Sequence, residues 1–244
     1  MYKDNHELTI RQAEISDEWQ RMEMELRKPQ KWDFLTGNLD KDYNSHIELL
    51  FDLLAGNMSK SGQGVYTTFL WFEKHISEAG RDVRMQGEKA IDLWRRIKAA
   101  FARINTWFCD GIPDSKATIY HYVGYLLSSG KANIQKLFNL ADYKSKKEFE
   151  SSLKNLIIDT IKDIDIDIDQ LSYLDNNEEI KRILLLHNVL TCERIADGIY
   201  NRFPFDRYNK VASEYSGRGG WSLEHIFAQN SQDIIKDRRV ARGH

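Results

Sequence analysis

The run Trp221-Ser222-Leu223-Glu224-His225-Ile226-Phe227-Ala228-Gln229-Asn230 sets a carboxylate directly beside an imidazole. Metal-assisted hydrolysis needs one group to hold a divalent ion and one neutral imidazole to take a proton from water. Adjacent residues on an extended segment point to opposite faces. One of the two can then face a metal while the other faces the attacking water. Arg218, Lys236, Arg238 and Arg239 surround the pair in sequence and are the candidate phosphate contacts. Residues 201–244 carry eight Lys or Arg against five Asp or Glu, in a chain whose net charge is −2. Phosphate contact depends on such local cations rather than on the total.

The stretch from Asn201-Arg202-Phe203-Pro204-Phe205-Asp206 through Trp221-Ser222-Leu223-Glu224-His225-Ile226 to Gln229 resembles the C-terminal HNH nuclease half of the GmrSD-type restriction endonucleases. Upstream, Trp19, Trp32-Asp33-Phe34-Leu35 and His46-Ile47-Glu48-Leu49-Leu50-Phe51-Asp52-Leu53-Leu54 resemble the start of that family's helical middle region. Leu171-Ser172-Tyr173-Leu174-Asp175-Asn176 and Ile183-Leu184-Leu185-Leu186-His187-Asn188-Val189-Leu190 resemble its end. The resemblance implies metal-dependent hydrolysis of modified DNA, with His225 as the general base, Glu224 as the metal-associated acid, and Mg²⁺ or a similar divalent ion in the complete parent protein. It also implies an N-terminal ParB/sulfiredoxin-like domain and a longer HNH domain than the sequence to His244 contains. Ala228 stands where the family has Pro. The expectation is therefore a truncated member, with residues 1–200 a helical domain and residues 201–244 an incomplete ββα-type HNH segment. Such a chain alone is expected to hold no metal and to be inactive. Asn230 and His244 are the remaining candidates for an HNH trio, but the eighteen residues between His225 and His244 leave little room for the intervening strand and helix. Two other readings stay open: a helical interaction module with a protein partner, and an unrelated helical protein with a chance Glu-His.

A chain of 244 residues with 41% apolar, 11% aromatic and 30% charged residues can build a packed core under a solvated surface. No apolar run is long enough to span a membrane, and Met1 to Ile10 lacks a signal core. Cys109 and Cys192 lack metal-ligand spacing, so a reduced, cytoplasmic chain is expected.

The elements that must position the site read as helices. The spacing of Trp19, Met22 and Leu26 predicts a helix over residues 17–28, with Ser16 as N-cap and Pro29 as its stop. A second runs from Tyr43 to Ala55, ended by Gly56-Asn57. Phe69, Phe72 and Ile76 mark a third. Ile91, Trp94, Ile97, Phe101, Ile104 and Phe108 predict a long helix with a broad apolar face. Ser115 is the expected cap of a helix holding Tyr120, Val123 and Leu127. Phe149, Leu153, Leu156 and Thr160 mark the next. The last runs from Glu178 to Tyr200, with His187 on its buried face in line with Ile180, Ile183, Leu184 and Leu190. The expected core centres on Trp94, Phe101, Phe108, Phe149, Leu184 and Leu190. Ser59 to Gly64 is a loop without a phosphate-cradling Gly-Lys-Ser/Thr. Asp163 to Asp169 alternates Asp with Ile, which predicts an extended segment. A calcium loop would need Gly at position 168 and Glu at 174, where Ile and Leu stand. Ser216-Gly217-Arg218-Gly219-Gly220 reads as a hinge.

Overall fold

Helix α1 spans Tyr2–Leu26 in the computed structural model, which describes residues 2–37, 43–56, 66–111, 116–164, 170–172, 175–192 and 201–214. It starts well before Ser16, which lies inside the helix and caps nothing. The residues ahead of Ser16 contain no breaker, and Gln, Ala, Glu and Arg propagate a helix readily. Pro29 does end α1, and it also opens α2 (Pro29–Thr36) from the first turn, where its missing N–H is not needed. This short helix buries Phe34 and Leu35 completely.

Helix α3 (Glu48–Ala55) begins later than its apolar pattern suggests. Its start is fixed from outside by Glu23 of α1, whose carboxylate accepts the Ile47 N–H at 2.9 Å and the Ser45 hydroxyl at 2.9 Å. Gly56 ends it in the left-handed conformation, φ 71°, donating to the Asp52 carbonyl. Helix α4 (Thr67–Ser77) forms where expected but buries none of its residues; Phe69 and Leu70 face outward.

Helix α5 (Val83–Cys109) is capped by Asp82, which accepts from the Arg84 and Met85 N–H groups. Its buried stripe is Leu93, Ile97, Ala100, Ile104 and Trp107. The expected face is thus rotated by about one residue: Trp94, Phe101 and Phe108 flank the stripe and are half-buried. Long aromatic side chains reach the core from such flanking positions, so they need not lie on its centre line. Trp94 stacks on Trp19 (centroids 6.1 Å, planes 3° apart), and its indole N–H donates to Glu18 at 2.6 Å.

Helix α6 (Thr118–Ser128) is the centre of the body. It packs against α2 and α5 and against α8 (Lys146–Lys162), α9 (Asn177–Cys192) and α10 (Phe205–Glu214). Apolar nearly all round, it is the kind of helix that belongs inside. The expected cap, Ser115, lies outside the described residues, and the cap position is held by Ala117 without a side-chain bond. Asp110, at the end of α5, does the work instead, accepting the Ile119 N–H at 2.8 Å and the Tyr120 N–H at 3.4 Å. Helix α7 (Ile134–Leu140) follows, capped by Asn133. Ser145 and Glu148 form a capping box at the start of α8, which buries Phe149, Leu153, Ile157 and Thr160 much as predicted.

Two expectations for α9 are corrected. The helix buries Ile180, Leu185 and Val189, which leaves His187 exposed and Leu190 39% exposed. Leu185 and Val189 lie one turn apart and set the inward face; His187, two positions from each, points away. The described part of the helix ends at Cys192. Asp163 is the C-cap of α8, and residues 165–169 of the Asp-Ile alternation lie outside the described residues, as does the loop Ser59 to Gly64. The fold is mainly helical, as expected, and no strand occurs among the described residues. No helix there is long and apolar enough to cross a membrane. Both thiols are free.

Candidate functional site

Glu224, His225, Arg218, Lys236, Arg238 and Arg239 all lie outside the described residues, together with Asn230, His244 and the hinge at Ser216 to Gly220. What the structure describes is the base of the segment that carries them, residues 201–214. That base is bound tightly to the helical body.

Arg202 sits over Tyr120, with its guanidinium carbon 3.7 Å from the ring centroid, and 5.1 Å from that of Phe108. It also donates to the Phe108 carbonyl. A cation over an aromatic face is attracted by the ring's negative quadrupole, more so when water is excluded. Burial pulls the guanidinium below its usual range, while the nearby Tyr120, Cys109 and Asp110 oppose that pull. Tyr120 is pushed up to about 12, first by burial and then, against the Arg202 charge, by Asp206. Its hydroxyl therefore stays protonated and donates to the Phe203 carbonyl at 2.8 Å.

The next residue in α6 answers in the opposite sense. The Phe203 N–H donates to His121 Nε2 at 3.0 Å, so Nε2 must be the unprotonated nitrogen of a fully buried ring. Tyr120 and His121 thus bind both backbone groups of Phe203. The sequence Phe-Pro-Phe then turns the chain so that Phe205 enters the core against the stacked rings of Phe34 and Tyr120. Proline at position 204 supplies a fixed φ just before the helix. On α10, Asn209 donates to the Asp33 carbonyl at 2.9 Å, against the backbone of Gly37 where a side chain would collide. The helical body therefore includes the first residues beyond position 200.

Asp33 of α2 lies within electrostatic reach of Asp206 and Lys210 of α10. Burial raises the Asp33 carboxyl above the ordinary range, Asp206 adds to the rise, and Lys210 reduces it. Two carboxylates and one lysine do not make a metal site. Among the described residues, no group of three or more His, Cys, Asp or Glu stands together to hold an ion. His121 was not singled out by sequence reasoning; its signal was a polar residue inside an otherwise apolar helix, which a core hydrogen bond explains equally well.

No protein-family model matches this chain, and no match emerges among curated proteins or among solved structures.

Proposed function

We propose that this chain is the helical body and catalytic-segment carrier of a DNA-cleaving protein resembling the GmrSD-type restriction endonucleases. His225 is the general base, Glu224 holds a divalent metal such as Mg²⁺, and Arg218, Lys236, Arg238 and Arg239 contact phosphates. The supporting observation is the Glu224-His225 pair within Trp221 to Asn230, downstream of an Asn201 to Asp206 stretch that is pinned to α6. A nuclease segment gains from leaving a rigid base, because a misplacement of about 1 Å can cost about 10²-fold in rate. When bound, the ion would polarise the scissile phosphate. Glu224 and His225 supply fewer donors than a hard divalent cation takes. The chain alone is therefore inactive on this reading, and further donors come from a partner or another domain.

A second reading, a helical interaction module without catalysis, draws on α4, whose Phe69 and Leu70 side chains face outward. Incubating modified and unmodified plasmid with the chain, with and without chelator, separates the two. DNA retention that falls when Lys236, Arg238 and Arg239 are replaced by Ala supports the first. Plasmid neither retained nor cut leaves the module. Chelator-sensitive cleavage lost in His225→Ala would establish the nuclease and overturn the inactivity of the chain alone.

A further inference from the structure

A cleft of about 680 Å³ opens where the end of α5 meets the turn between α7 and α8. That size lies within the roughly 300–1,000 Å³ of small-ligand sites. Its floor is aromatic: Trp107 and Phe149 are buried and stack with centroids 5.3 Å apart. Its walls carry three cations, Arg103, Lys144 and Lys146, against one lining carboxylate, Asp110. Asp110 is satisfied from within the fold, by the N–H groups of Ile119 and Tyr120 and by Lys146 at 2.7 Å. Arg103 is held at 2.8 Å by Asp142 and donates to the Phe138 carbonyl. Lys144 donates to the Leu140 carbonyl at 2.6 Å. The cations are thus fixed in position before any ligand arrives.

Tyr143 stands at the rim. Its ring is fully exposed, and it is the one non-glycine residue in the left-handed region among the described residues, φ 56°. Neither property helps folding. A tyrosine ring in water forgoes burial, and a left-handed backbone is unfavourable for a residue with a Cβ. Strain of this kind gathers at binding sites, where the surrounding structure imposes it.

The geometry points to a nucleotide-binding cleft, in which the open face of Tyr143 stacks on a base and Arg103, Lys144 and Lys146 hold its phosphate. Aromatic stacking accepts any base, since every base has a π-face, so the site is tolerant of sequence. Charge-assisted bonds from Lys and Arg suit phosphate oxygens. The inference rests on the DNA reading above, in which a strand crossing the body brings nucleotides to this face. A free mononucleotide offers the same chemistry, and the test separates the two sources.

The full 244-residue chain is titrated with a labelled short oligothymidylate and, separately, with dTMP. Tyr143→Gly should weaken oligonucleotide binding about tenfold, the effect of losing one stacked base. Its thermal midpoint should hold or rise, because glycine accepts the left-handed backbone. Tyr143→Phe should bind like wild type. Lys144→Gln should weaken binding and reduce the salt slope by about 0.7. dTMP binding that is lost in Tyr143→Gly, without oligonucleotide binding, supports the cleft and assigns it to free nucleotide. Equal oligonucleotide binding by wild type and Tyr143→Gly, or no binding of either probe, overturns the proposal. Retention of duplex plasmid with Tyr143→Gly unaltered sinks the cleft and leaves the DNA reading standing, since that reading is tested through residues 225–239.

Discussion

The ring of Phe205 occupies the notch left by Gly124. A Cβ on Gly124 would lie 2.2 Å from Phe205 Cε2 and 2.4 Å from Cδ2, closer than any real side chain comes. A glycine in the middle of a buried helix is unfavourable by about 0.5–1 kcal/mol relative to alanine. Here that cost permits an aromatic from a helix some eighty residues downstream to reach the centre of the body.

Gly124→Ala should therefore destabilise the protein despite alanine's better helix propensity. Overpacking costs about 1–3 kcal/mol, which outweighs the propensity gain. Urea unfolding measures the change, and pairing the substitution with Phe205→Leu should recover part of the loss, because the two sites touch. A Gly124→Ala protein as stable as wild type would mean that Phe205 does not sit in this notch.

Lys31 is 2% exposed, with its ammonium bonded to Glu25 at 2.8 Å and to Asn105 at 2.6 Å and lying 5.4 Å from the Phe108 ring centroid. Asn105→Ala leaves that buried charge short of a partner and should cost about 1–3 kcal/mol. Lys31→Met removes the charge itself while keeping the volume, and should cost less. Chemical denaturation of both variants side by side gives the order; the reverse order would rule out the buried ammonium.

Glu18, Glu23 and Glu25 of α1 should make stability fall with acid. Glu18 lies below the ordinary range through bonds from Lys98 and Trp94, and Glu25 through Lys28 and Lys31. Burial pushes Glu23 up, but the Ile47 N–H, Ser45 and His46 outweigh it and leave it lowered. A lowered carboxyl stabilises the fold above its unfolded value and loses that contribution as pH drops through the folded one. Glu23→Gln should cost stability at pH 7 and much less near pH 3. A penalty that does not change between the two would exclude a charged Glu23 as the clamp on α3.

Asp33 works with the opposite sign. Its raised carboxyl favours the fold at low pH, and the advantage disappears as pH rises through the folded value. Asp33→Asn should then stabilise the protein at neutral pH, where wild type holds a half-buried charge against that of Asp206, and should gain nothing near pH 3. Thermal melts at the two pH values decide it. Equal effects at both would remove the electrostatic explanation.

Titration of Mg²⁺ or Mn²⁺ into the chain should give no submillimolar binding. One carboxylate and one imidazole at Glu224 and His225 offer too few donors for a hard cation. Calorimetry with His225→Ala as control is the check: submillimolar binding that disappears in the variant would show a working metal site.

The long helices were legible because their apolar spacing repeats over many turns, as in α5 and α8. The phase was less so: Trp94, Phe101 and Phe108 are large enough to seem central, yet the stripe runs through Leu93, Ala100 and Trp107. Helices α2, α7 and α10 are too short for their own pattern to identify them, and their stability comes from tertiary packing. Capping by Glu23 and Asp110 could not be read, since each carboxylate belongs to one element and serves the start of another. Lys31 ran against the usual exposure of lysine. His187 was assigned inward from its apolar neighbours, although Leu185 and Val189 decide the face. Of the candidate site, the Asn201 to Asp206 stretch was visible as a motif, but its partners Tyr120 and His121 lie some eighty residues away. Tyr143 gave no local signal, because neither full exposure nor a left-handed backbone is written in a sequence.

The bond from Asn209 to the Asp33 carbonyl spans 176 residues. Chain emerges from the ribosome N-terminus first, and pairings this distant must wait for their second half. Until residue 210 is available, Phe34 and Tyr120 lack the cover that Phe205 provides, so nascent chains carry an unsealed aromatic surface. Assembly of this body is thus gated by its last described helix, and chaperone demand should be highest just before α10 is synthesised.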